Sequence, residues 1–217
     1  MEMPFTTDDF LGVFELYNVS VWPSQLILYA LAVIALVALH RNDKRGRQVL
    51  FAVLSLLWAW MGVVYHINYF SAINKAAYGF GLLFLIQSFV FVYTGIIRDK
   101  VSFDIRFDAY TIIGITFVAY ALVGYPLLGI LFGHTYPKSP TFGVPCPTTI
   151  FTFGVLLFSS QRISFFVLLI PFLWSIVGFS AAFHFAIYED IGLIISGVVS
   201  TAVLTVVKKR TTNVLAQ

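Results

Sequence analysis

The chain has 217 residues, 59% of them hydrophobic, 18% aromatic and only 11% charged, with a formal net charge of +3. Charged residues make up about a quarter of an ordinary soluble domain. This composition, with a mean hydropathy of +0.91, therefore excludes a soluble globular protein and predicts an all-α polytopic membrane helix bundle, one domain over 1–217.

The first stretch, MEMPFTTDDF, is acidic and leads to no apolar run before Trp22, unlike a cleaved signal peptide. Over 5–18, Phe10, Phe14 and Tyr17 recur at helical spacing and Thr6 precedes Asp9 by three positions. That pattern predicts a short capped amphipathic helix lying on the membrane surface. Transmembrane helices are expected at about 22–40, 48–70, 76–97, 109–132, 147–160, 163–185 and 187–207. Gly124, Pro126 and Gly129 predict a kink in the fourth. Pro137, Pro140, Pro145 and Pro147 make the following connection irregular. The fifth helix, at 1.5 Å per residue, rises only roughly 21 Å against a hydrocarbon layer of about 30 Å. The proline-rich connection is therefore expected to dip into the membrane region and line a cavity, where irregular backbone is tolerated.

With the loop at 41–47 cytoplasmic, alternation over seven crossings puts Arg41, Lys44, Arg45, Arg47, Arg98, Lys100, Arg106, Arg162, Lys208, Lys209 and Arg210 inside. Only Lys75 and Lys138 fall outside, eleven cations against two. This asymmetry predicts the N-terminus outside and the C-terminus cytoplasmic. It also explains the basic balance without a nucleic-acid partner.

No Asp, Glu, Lys or Arg lies centrally in any segment, which argues against a carboxylate-driven pump or sodium symporter. The last segment has no lysine before Lys208 to hold a retinal, and no GxSxG context marks a serine hydrolase. Histidine remains. Ser55, Trp58, Gly62, His66 and Tyr69 share one face of the second helix, and His134 and His184 fall on the same outer side. Cys146, Glu189, Asp190 and Glu15 belong to that side too. Imidazole, thiolate and carboxylate suit zinc or copper, although no HxxxH or CxxC spacing is present, and Cys146 is the only cysteine. His66 and His184 at similar depth also suit a b-type haem. The plainer readings are a hydrogen-bonded bundle histidine for His66, interfacial residues for His134 and His184, and helix-dipole charges for Glu189 and Asp190. A helix N-terminus held at depth near Thr148 and Thr149 presents free N–H groups. The occupant expected there is a small polar or anionic molecule, or water.

The run WAWMGVVYHINYFSAINKAA at 58–77, FELYN before WPSQ at 14–25, and YPLLG at 125–129 resemble an uncharacterised bacterial family of multi-pass integral membrane proteins, a domain of unknown function. The resemblance implies a bacterial inner-membrane protein and brings no activity with it.

The expected function is a permease or binding protein for a small polar solute or metal ion, taken from the outer side. Its lining is drawn from Trp58, Tyr65, His66, Tyr69, Cys146, Thr148, Thr149 and His184, with His66, His184, His134 and Cys146 as the candidate metal ligands. The alternatives are a structural or accessory subunit of a membrane complex, or a homo-oligomer, and a membrane-embedded metal- or haem-binding enzyme. Neither a transition metal nor haem b is required by the sequence.

Overall fold

The structure, a computed structural model, describes residues 5–41, 43–106 and 108–207. Lys208, Lys209 and Arg210, counted above among the inner cations, lie outside the described residues. Among those described the chain is helical, with no β-strand. The helices are α1 (Thr7–Ser20), α2 (Ser24–His40), α3 (Lys44–Ala72), α4 (Ala77–Ile97), α5 (Ala109–Leu131), α6 (Pro145–Leu156), α7 (Phe165–His184) and α8 (Tyr188–Val207). Five of them, α3, α4, α5, α7 and α8, are long and apolar enough to cross a membrane. The number is six if α1 and α2, which meet at 87°, form one broken span. Leu26, Ile27, Val37, Leu82, Phe89 and Phe166 are each more than half exposed on the outside of this bundle, an apolar belt compatible with a membrane.

Side-chain caps set several of the helix starts. The Thr6 hydroxyl accepts from Asp9 N at 3.1 Å while the Asp9 carboxylate accepts from Thr6 N at 2.9 Å, a complete capping box. Asp43 caps α3 through Gly46 N, and Asp108 caps α5 through Thr111 N. Inside α3 the helix widens to π geometry over Met61–Tyr69, where Phe70 N reaches back to Tyr65 O as well as His66 O. Where a kink was expected, α5 has a π turn over Tyr120–Gly124, which ends two residues before Pro126.

The short helix α6 forms the centre of the bundle. Every residue from Pro145 to Leu156 is buried except Cys146, as expected of a helix that is apolar all round. It packs against α5, α7 and α8. A Cβ on Gly154 would stand 3.0 Å from Gly114 O, so α5 and α6 approach backbone to backbone. Trp58 of α3 reaches the same core, stacking on Phe84 at 4.6 Å and donating Nε1 to Thr152 Oγ1 at 3.1 Å.

The α1 helix does more than lie on a surface. Phe10, Val13, Phe14 and Tyr17 are buried. Trp60 Nε1 donates to Tyr17 Oη at 2.8 Å, and Asn18 Nδ2 donates to Pro137 O and Ser139 O at 2.7 and 2.8 Å. The apolar stripe read as membrane-facing is met by aromatic rings of the bundle, so α1 closes one end of it. At the opposite end Arg47 forks onto Asp99 through Nε and Nη2 at 2.9 and 2.8 Å. Those hydrogen bonds hold the Asp99 carboxyl below the usual carboxylate range, outweighing the opposing desolvation.

Candidate functional site: an aromatic chamber with a carboxylate floor

Beneath α1 is a cavity of about 170 Å³, close to the size of an engineered cavity of ~150 Å³ that admits benzene. Phe5, Phe10 and Phe14 roof it, with the Phe10 and Phe5 rings stacked on Phe185 at 4.5 and 5.2 Å. Tyr65 and Phe70 of α3, Phe80 of α4 and Trp174 of α7 complete the aromatic walls. Gly178 opens the space between α7 and the floor, since a Cβ there would press on Leu193 at 2.7 Å and on Cys146 Sγ and Trp174 Nε1 at 3.3 Å. Polar residues are few; Cys146 and Asp190 meet where α6 approaches α8, and Asn74 and Ser180 stand apart from them.

Asp190 is the centre of that floor. It lines the cavity yet is only 2% exposed. Its Oδ1 accepts from Tyr125 Oη at 2.5 Å, and the Cys146 thiol lies within hydrogen-bonding reach of its carboxylate. Trp174 Nε1 finds no oxygen or nitrogen acceptor; its polar neighbour is Cys146. Directly behind, the fully buried Glu189 pairs its Oε1 with His134 Nδ1 at 3.0 Å, and its backbone carbonyl accepts from Tyr120 Oη at 2.7 Å. Glu189 Oε2 has no partner. Of two adjacent buried carboxylates, that of Asp190 is thus held by Tyr125 of α5 and that of Glu189 by the His134 that follows it.

Sequence reasoning assigned Glu189 and Asp190 to the helix dipole, and His134 to an interface. The acidic pair does stand in the first turn of α8, and the structure adds that both carboxylates and His134 are buried, because too few residues separate α7 from α8 to carry an acidic pair into water. That missing spacer, HFAIYED between two apolar runs, is the signal from which their burial is legible.

The expected lining residues separate. Tyr65 and Cys146 face the cavity. Tyr69 meets Tyr17 edge-on at 5.5 Å, and Trp58 belongs to the core. Thr148 accepts from Gly143 N at 3.0 Å, while Thr149 is buried with its hydroxyl unpartnered. The donor-rich helix N-terminus expected near them is largely absent. Pro145 and Pro147 have no N–H, and Thr148 N is bonded to Val144 O. His184 is exposed and engages Ser180 O through Nδ1 at 2.8 Å.

His66 is fully buried in an aromatic cage, edge-on to Phe84 at 4.7 Å and Trp174 at 5.0 Å, with neither ring nitrogen hydrogen-bonded. This also corrects the hydrogen-bonded histidine expected there. An N–H directed at a ring face is the weak contact such a cage offers. The histidines therefore occupy separate surroundings. Among the described residues no group of three or more His, Cys, Asp or Glu side chains is placed to hold a metal ion.

Comparison with protein families matches one over residues 7–216, nearly the whole chain. The chain belongs to DUF6064, a family of unknown function. No curated protein and no solved structure matches it. Membership in DUF6064 assigns no chemistry, so the function has to be argued from the chamber.

Proposed function

We propose that the protein is a bacterial inner-membrane protein of seven crossings, N-terminus outside, that binds a small organic cation from the outer side as a permease or binding protein. The ligand class is a protonated amine or a quaternary ammonium. The observation that carries it is the Asp190 carboxylate on the floor of a chamber walled by aromatic rings. Its neighbours are Tyr125, Cys146 and Glu189, none of them a cation. A buried carboxylate needs a proton or a positive partner, and aromatic faces add cation–π attraction for an ammonium group. The same floor repels the anion that a donor-rich helix terminus would have favoured.

The topology draws on the eleven-to-two distribution of cations and on the course of α6. That helix starts at the cavity with Cys146. It ends where Asp104 N donates to Phe158 O and Ser160 N donates to Ser102 O, at 3.0 and 2.8 Å, in the segment that follows α4. Together with the proline-rich connection, α6 thereby carries the chain from one end of the bundle to the other.

Calorimetric titration of the detergent-purified protein with methylammonium, tetramethylammonium, acetate and glycerol tests the ligand class. Saturable binding of the two cations alone, lost in a folded Asp190→Asn variant, is expected. Equal binding of acetate, or cation binding that survives Asp190→Asn, sinks the proposal. A folded protein that binds none of the four favours an accessory subunit instead.

A further inference from the structure

At the end of the bundle opposite the chamber, a crevice of about 910 Å³ opens between the ends of α4 and α8 and the start of α7. Among the described residues three cations, Arg98, Lys100 and Arg162, line it, and no Asp or Glu does. The one acidic residue between Arg98 and Lys100, Asp99, is engaged by Arg47. Arg98 is held in place: its Nε donates to Tyr93 Oη at 2.7 Å, with the guanidinium 5.2 Å from the Tyr93 ring centroid. The two basic strips are tied to each other, since the Gln161 amide donates to Lys100 O and Ser102 and Ser160 join their hydroxyls at 2.7 Å. The rest of the lining is of another character. Val90, Phe165, Phe166 and Val167 form an apolar side, and Phe166 is 78% exposed at its edge.

We infer that this crevice binds an anionic phospholipid, its phosphate held by Arg98, Lys100 and Arg162 and an acyl chain laid along the Phe165–Phe166 side. The positive-inside rule accounts for basic residues at this end. It does not account for cations from two separate connections converging on one crevice whose described lining has no carboxylate side chain. Phosphate is the anion that guanidinium and ammonium groups hold best at a membrane surface. A free phosphate ion satisfies the cations but has no use for the apolar side, whereas a lipid satisfies both. The inference concerns a second site and is independent of the cation chamber, resting only on the membrane embedding proposed above.

Native mass spectrometry of the detergent-purified chain, offered phosphatidylglycerol, phosphatidylcholine or inorganic phosphate, provides the test. Phosphatidylglycerol should be retained in preference to phosphatidylcholine, and its affinity should fall about 30-fold in the double variant Arg98→Gln/Lys100→Gln, two surface charges being removed. Arg41→Gln/Arg45→Gln, at the same end but outside the crevice, should leave it unchanged. Equal retention of the two lipids, or equal losses in both double variants, overturns the assignment. Inorganic phosphate bound with the same arginine dependence overturns the lipid as its source. Release of the chain from membranes by alkaline carbonate overturns the embedding and this inference together, whereas retention without lipid preference overturns this inference alone.

Discussion

The hydroxyl of Tyr125 donates to Oδ1 of Asp190 at 2.5 Å, joining α5 to the first turn of α8 across 65 positions of sequence. Tyr125→Phe keeps the ring and removes that donor, leaving the Cys146 thiol as the neighbour able to donate. Depriving a buried carboxyl of a hydrogen bond costs about 1–3 kcal/mol. Thermal unfolding in detergent should show the loss. Tyr120→Phe, whose hydroxyl donates to a backbone carbonyl at 2.7 Å, should cost less, about 1 kcal/mol. Equal melting temperatures for wild type and Tyr125→Phe would mean that the contact contributes nothing.

His66 offers the opposite expectation. Both its nitrogens are buried without a hydrogen bond, so an apolar ring of similar shape relieves a penalty instead of creating one. His66→Phe should raise the melting temperature, by an amount corresponding to about 1 kcal/mol, and leave cation binding unchanged because His66 stands behind the chamber wall. Loss of binding in a folded His66→Phe protein would make the imidazole a ligand group and refute the placement of the site.

The Arg47–Asp99 fork predicts a dependence on pH. Both side chains are 20% exposed, so the pair is partly screened and is worth about 1 kcal/mol near neutrality. The carboxyl is held below its usual value by Arg47. Its contribution is therefore fully present above the unfolded-chain value of about 3.9 and is lost as pH falls through the lower folded value. Arg47→Gln should melt below wild type at pH 7, and the gap should close below about pH 4. A gap that stays constant down to acid pH would assign the effect to packing of the arginine stem.

Orientation is open to labelling. In a Cys146→Ser background, Lys138→Cys should react with a membrane-impermeant maleimide on intact spheroplasts. Arg45→Cys should react only after the membrane is opened. Lys138 is 59% exposed and pairs with Glu15 of α1 at 3.4 Å. The reverse labelling pattern would invert the topology and place the chamber on the cytoplasmic side.

The helices were legible because runs of Leu, Ile, Val and Phe of that length have no other stable state in a bilayer. The shortness of α6 was legible too, from Pro147 and the polar residues after Phe158. What escaped were relationships that only the assembled bundle creates. Nothing near Glu189 points to His134, which lies 55 positions away. An acidic pair at a helix start has an innocent explanation in the dipole. His66 was correctly directed inward by its spacing from Trp58 and Gly62. Whether a partner would meet it depended on α4 and α7, which supply Phe84 and Trp174 and no polar atom to its nitrogens. The α1 stripe was visible as amphipathic, but amphipathicity does not distinguish a lipid surface from a wall of aromatic rings.

In the membrane embedding proposed above, the encasement of α6 bears on how the protein would respond to its bilayer. Hydrophobic mismatch acts on helices that touch acyl chains, and α6 is wrapped by protein along its length. A thicker or thinner membrane would therefore change the tilt of the surrounding helices and leave the short one untouched. Cys146 rides on α6, whereas Trp174 belongs to a helix of the outer ring, so lipid thickness would reach the chamber by shifting its walls against a stationary part of its floor.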